Sequence, residues 1–235
     1  MSYYSDFKEL VSENFIVTRI LKESERGRVC LVRHKTAGGF FVLREYTGDG
    51  SAYLKLTGIK SPFLPEVLEA VVDKDQVIVL EEYVSGDNMA DMLKGCLFTE
   101  KETKQLSSDI CKALYALHSC GIVHRDVKPE NIIIRGKTAV LTDFDASRIF
   151  KNDRTNDTVI LGTTGYAAPE QYGISQTDAR ADIYSLGILI NIMLTGEHPS
   201  VRLAKGKFGR LIRKCTVVSP SHRYPDILHV LEALR

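Results

Sequence analysis

The stretch Ile122–Asp145 limits what this chain can fold into more than any other. It reads IVHRDVKPENIIIRGKTAVLTDFD: a short apolar run, a tight cluster of charge, a β-rich run, a turn at Gly136, a second β-rich run, then two carboxylates around a phenylalanine. Charge crowded between two strands that are apolar enough for burial needs a chemical reason, because an ionised group taken from water without a partner is costly. A hairpin that holds Asp126, Lys128, Asn131 and Asp143 at one mouth supplies it. Asp126 is suited to take a proton from a hydroxyl and Lys128 to neutralise a moving phosphoryl group. Asn131 and Asp143 offer oxygen ligands of the kind magnesium prefers.

In this order and spacing, HRDVKPEN resembles the catalytic loop of eukaryotic-type (Hanks-type) serine/threonine protein kinases. TDFD resembles their Asp-Phe-Gly metal motif, with Asp145 in place of the glycine. The resemblance implies an α+β fold of two lobes forming one kinase domain. A β-rich N-lobe, a five-stranded sheet with a shortened helix, is expected over residues 1–84, and a helical C-lobe over 85–235. It implies ATP with magnesium or manganese, Asp126 as base, Lys128 beside the transferred charge, and Asn131 and Asp143 on the metal. Thr163, in GTTGYAAPE, matches the threonine that touches the catalytic Asp and Lys, which favours hydroxyl substrates of the Ser/Thr class. His124 is expected to pack near Phe144. Asp182 is expected to hold the catalytic loop's backbone, and Glu170 to pair with Arg223. Arg125 stands ready to clamp a phosphate on Thr155, Thr158 or a neighbour; unmodified threonines in a polar loop are the alternative.

The N-terminal part departs from the family pattern. Three β-rich runs, FIVTRIL, RVCLVRH and FFVLREY, are separated by turn chemistry and predict an antiparallel meander. Of the glycine-rich flap over the ATP phosphates only Gly27 remains, before Val29, while Lys22 and Ser24 occupy the other glycine positions. Arg44 stands where the phosphate-binding lysine belongs, with Val42 at the adjoining alanine position. The short helix that follows has no glutamate near Ala52 to pair with it. Glu82, Tyr83 and Val84 align with the adenine-binding hinge, which places Glu81 at the gatekeeper position. Two unusual charges on adjoining strands predict a Glu81–Arg44 pair, since either alone is costly to bury. A solvent-facing Glu81, or a strand shifted by one residue, is the alternative. Ile133 completes the implied nucleotide contacts, and Asp87 or Asn88 is expected to meet the ribose.

Farther on, Thr99 and Glu102 form a capping box ahead of a helix whose apolar residues recur from Leu106 to Leu117, ended by Gly121. His118 on that helix is assigned no chemistry. DARADIYSLGILINIMLTG predicts a buried helix closed by Gly196. The chain between Thr195 and Phe208 is too short for the helix with which the family commonly docks protein substrates, so that helix is expected to be reduced or missing.

With a formal net charge of +1, nothing points to nucleic acid or to an acidic membrane surface. Five cysteines without a CxxC pair predict neither a disulfide framework nor a zinc site. No apolar run approaches the roughly 20 residues of a membrane span, and a cytoplasmic location is expected. An ATP-dependent Ser/Thr protein kinase acting on a protein partner is the first reading. A pseudokinase that binds nucleotide or a partner without turnover is the second, and a small-molecule kinase is disfavoured by Lys128 and Thr163.

Overall fold

The computed structural model describes residues 3–149, 165–172 and 177–235, and divides them into two compact units. Thr155, Thr158 and Thr163 lie outside the described residues.

The first unit comprises residues up to Ser61 and Pro65–Val84. Its β-branched and aromatic runs form an antiparallel sheet of β1 (Phe15–Ser24), β2 (Gly27–His34), β3 (Phe40–Thr47), β4 (Val67–Asp73) and β5 (Gln76–Glu82), in the order β1-β2-β3-β5-β4. One face of the sheet packs Cys30, Val32, Leu43, Val71, Ile78 and Leu80 into a core. That core is closed by α1 (Tyr3–Asn14), which buries Phe7 and Val11 one turn apart. Helix α2 (Ser51–Leu56) has only six residues and buries Ala52, Tyr53 and Leu56. It is the shortened helix expected from the sequence.

The second unit, Pro62–Leu64 with Ser85–Arg235, is mainly helical. Helix α3 (Met89–Gly95) starts where the Asn88 side chain accepts from the Ala90 amide. Helix α4 (Glu100–Ser119) opens on the capping box, with the Thr99 amide donating to Glu102 Oε2 at 2.9 Å and the Glu102 amide to Thr99 Oγ1 at 3.3 Å. Short strands lie before α3 and between α4 and α5 (Arg180–Thr195): β6 (Asp87–Asn88), β8 (Ile132–Arg135) and β9 (Thr138–Leu141) form one sheet, and β7 (Ile122–Val123) pairs with β10 (Arg148–Ile149). Gly136, at φ 66°, turns β8 into β9.

Helix α5 is apolar all round and deeply buried, and its C-cap Gly196 takes φ 74°. Helices α6 (Gly206–Cys215) and α7 (Ile227–Leu234) complete the unit. No helix forms in residues 196–205. Asn191, buried on α5, fastens that loop instead: its Nδ2 donates to the carbonyls of Glu197 and Arg202, and its Oδ1 accepts from the Ala204 amide. One buried amide thus satisfies loop backbone that a helix would otherwise satisfy internally. Among the described residues no helix is long and apolar enough to cross a membrane, and all five cysteines are free.

Candidate active site

Polar residues of the HRD segment are held from below by a single carboxylate. Asp182 is buried in the first turn of α5, where it accepts the His124 amide at 2.9 Å and the Arg125 amide at 2.7 Å. A third contact comes from His118, whose Nε2 lies 2.8 Å from Asp182 Oδ2. Burial works against ionisation of this group. The hydrogen bond and charge of His118, with His124 and the Arg125 amide, nevertheless hold its carboxyl below the usual carboxylate range. Arg125 sits at φ 70°, a left-handed conformation that costs a non-glycine residue energy. The Gln171 Nε2 fixes it from another side by donating to its carbonyl at 2.8 Å.

On this base Asp126 is tightly placed. Lys128 Nζ lies 2.8 Å from its Oδ2, and Asn131 Nδ2 donates to the same oxygen and to the Asp126 carbonyl, both at 2.9 Å. His124 serves the backbone on both sides of its ring. Nδ1 accepts from the Asp126 amide at 3.2 Å, so Nε2 is the protonated nitrogen that donates to the Thr142 carbonyl, also at 3.2 Å. With both nitrogens occupied, and Phe144 edge-on at 5.6 Å, His124 is a positioning residue.

The Asn131 carbonyl accepts from the Thr142 amide at 2.8 Å and from its hydroxyl at 3.1 Å, which ties Asn131 to the neighbour of Asp143. Asp143 takes φ 67° and is half-buried. The described residues contain no cluster of three or more His, Cys, Asp or Glu able to cage a metal. The donors present, an amide and a carboxylate, fit a hard cation that keeps water and substrate phosphate in its shell, which is the habit of magnesium. Glu170 and Arg223 form a buried bidentate pair at 2.6 and 2.8 Å that ties the segment before Gln171 to the turn ahead of α7.

In the first unit Arg44 Nε donates to Glu81 Oε1 at 2.7 Å, with both side chains almost wholly buried. The sheet register explains the meeting. Val42 is opposite Glu81 and Val79 is opposite Arg44, so the two charged residues are diagonal neighbours on one face. The Arg44 guanidinium also lies 5.8 Å from the centre of the Tyr53 ring, on the helix that lacks a glutamate. Val29 is opposite Arg44 across β2.

Residues 52–225 match the protein kinase domain family. The chain belongs to that family. It is 32% identical over 200 residues to serine/threonine-protein kinase B of Synechocystis, covering 74% of this chain and 35% of that protein. Identity is also 32% over 223 residues to serine/threonine-protein kinase AtPK2/AtPK19 of Arabidopsis thaliana, covering 88% and 46%. With PknB of Mycobacterium tuberculosis it reaches 39% over 127 residues, 52% of this chain and 20% of that protein. The chain thus spans half or less of the length of these relatives.

Several of the residues assigned to the nucleotide also have structural roles within their own unit. Of Asp87 and Asn88, the two residues expected near the ribose, Asn88 caps α3 and donates its Nδ2 to the Glu130 carbonyl at 2.8 Å, so its side chain is already used. The Glu82 amide donates to the Glu66 carbonyl at 2.8 Å, and the Glu82 carboxylate accepts the Glu66 amide at 3.2 Å. Gly27 has a structural reason to be glycine: at φ 151° a Cβ would meet the Glu45 carbonyl oxygen at 2.0 Å. Val42 and Val84 are buried, and Ile133 is half-buried in β8 opposite Val140. His118, Gln171 and Tyr53 are the site-supporting residues that the sequence reading passed over.

Proposed function

We propose that this chain transfers the γ-phosphoryl group of ATP to serine or threonine hydroxyls of protein. The observation that carries this reading is Asp126, gripped by Lys128 and Asn131 in a loop whose backbone hangs from buried Asp182. A carboxylate so fixed can accept the proton of an attacking hydroxyl, while the Lys128 ammonium beside it stabilises charge on the moving phosphoryl group. Asn131, its Nδ2 spent on Asp126, presents its Oδ1 as cation ligand together with the Asp143 carboxylate. A magnesium ion bound there supplies neutralising charge for phosphate oxygens. In the small unit Arg44 offers a cation to the nucleotide's phosphates. The names of the relatives support the Ser/Thr assignment.

The second reading, nucleotide or partner binding without turnover, has one observation in its favour. Arg44 is engaged by Glu81, and a forked guanidinium does not substitute simply for a lysine point charge. One assay separates the two. With labelled ATP and magnesium, the wild type is expected to phosphorylate itself or a generic Ser/Thr peptide, and Asp126→Asn to lose about a hundredfold or more of that rate. Equal signal in both, or none in either while ATP still binds, rejects the kinase reading.

A further inference from the structure

A strong concentration of positive charge lies around α6, far in sequence from the catalytic loop. Residues 199–225 hold seven Lys and Arg and no Asp or Glu, in a chain whose net charge is +1, so the remaining residues stand at −6. Four of the seven, Lys207, Arg210, Arg213 and Lys214, are exposed on α6. At about 100° per residue they share an arc of about 120°, opposite the buried Leu211, Ile212 and Cys215. None of the four makes an ion pair with a carboxylate among the described residues; Lys214 lies over the Tyr224 ring at 4.4 Å. Like charges one turn apart repel, and Lys207 in the first turn also opposes the helix dipole. Arg213 and Lys214 in the last turn suit the dipole; the mutual repulsion along the row remains, and carboxylates from outside would relieve it.

Beside the row lies a cavity of about 470 Å³, bounded by α6, the end of α7 and the start of α4. Phe208, Leu211 and Leu234 give it an apolar floor, and Lys101, Lys104 and Lys207 give it a basic rim. The rim also contains the carboxylate of Glu100, and Lys104 Nζ already reaches the Arg235 carbonyl oxygen at 2.8 Å. Lys207 belongs to both the row and the rim, which makes them one surface.

We propose that this surface docks an acidic segment of a protein partner, with carboxylates along the row and one large apolar side chain in the cavity. If the kinase reading above holds, the partner is a protein substrate; only that last identification rests on it. An anionic membrane fits less well, because the apolar side of α6 faces inward and has nothing to insert. Nucleic acid fits less well too, since the row offers no exposed aromatic ring for stacking.

The test is fluorescence anisotropy on the 235-residue chain without nucleotide. The probes are a labelled Glu/Asp peptide with one central Phe, its Phe→Ala and all-Lys counterparts, phosphatidylserine vesicles and a single-stranded oligonucleotide. The acidic Phe peptide is expected to bind best and to weaken as salt rises. Combined Lys207→Glu, Arg210→Glu and Arg213→Glu should weaken it at least about tenfold. Ala233→Trp, which fills the cavity, should reduce the Phe peptide to the affinity of its Ala counterpart. Melting curves check that the variants fold; if the triple variant does not, Arg210→Ser alone takes its place. No binding by the wild type, indifference to charge reversal, or tighter binding of vesicles or oligonucleotide overturns the proposal. In a turnover arm, an acidic tail on a Ser/Thr peptide should lower KM at unchanged kcat, and the charge reversal should abolish that difference. Peptide binding without any turnover leaves the docking surface standing and rejects the kinase reading.

Discussion

Arg44 and Glu81 show how a departure at one residue is met by another. The two are 37 positions apart in sequence yet 2.7 Å apart in the sheet, and neither has appreciable contact with solvent. Removing one partner of such a pair strands the other, at a cost of about 3–5 kcal/mol, whereas replacing both with apolar residues is often close to neutral. Glu81→Met is therefore expected to lower unfolding stability by that amount in urea titrations, and Arg44→Met with Glu81→Met to recover most of it. Additive losses would mean the two do not depend on each other. This pair was legible before any coordinates because an arginine in place of the lysine, without its helix glutamate, adjoined a carboxylate at a position that is usually apolar or small. Tyr53 was not, since nothing in a lone helical tyrosine says that its ring faces a guanidinium. Between Asp87 and Asn88 as the ribose contact the sequence did not choose, because asparagine suits a cap and a polar ligand equally well; the contacts of Asn88 with Ala90 and Glu130 show the cap.

Among the elements, α5 does the most for the catalytic loop, through a carboxylate that three donors satisfy. Because the Asp182 carboxyl is held below its ordinary range, the unfolded chain binds the proton more readily than the folded one. Its contribution to stability is present above about pH 4 and disappears as pH falls through the lower folded value. Thermal melts from pH 7 to pH 3 should show that loss. His118→Ala, which deletes one of the three donors, should lower stability at pH 7 by about 1–3 kcal/mol. An unchanged melting temperature would mean that His118 adds nothing to the anchor. The strands, α4 with its cap and α5 with its closing glycine could all be read from apolar spacing and turn residues. His118 could not be read as the partner of Asp182, 64 positions later, because that contact exists only once α4 and α5 pack together. Helix α1 escaped notice for a related reason: its buried contribution is two residues, Phe7 and Val11, in a polar segment.

Over the whole molecule, near-neutral net charge conceals separation. The excess of cations in residues 199–225 is offset mainly in residues 66–91, where eight Asp and Glu stand against one Lys, so a summed charge of +1 says little about the field any one face presents. The chain is accordingly expected to bind a cation exchanger near pH 8 at low salt, and the triple α6 variant to pass through it. Retention that the variant does not lose would place the basic field elsewhere. The arrangement of Arg44 and Glu81 also carries a consequence for descent. A change that removes the charge of either residue would leave a marooned ion inside the sheet, so lineages sharing this architecture should inherit the couple intact or have exchanged both members together.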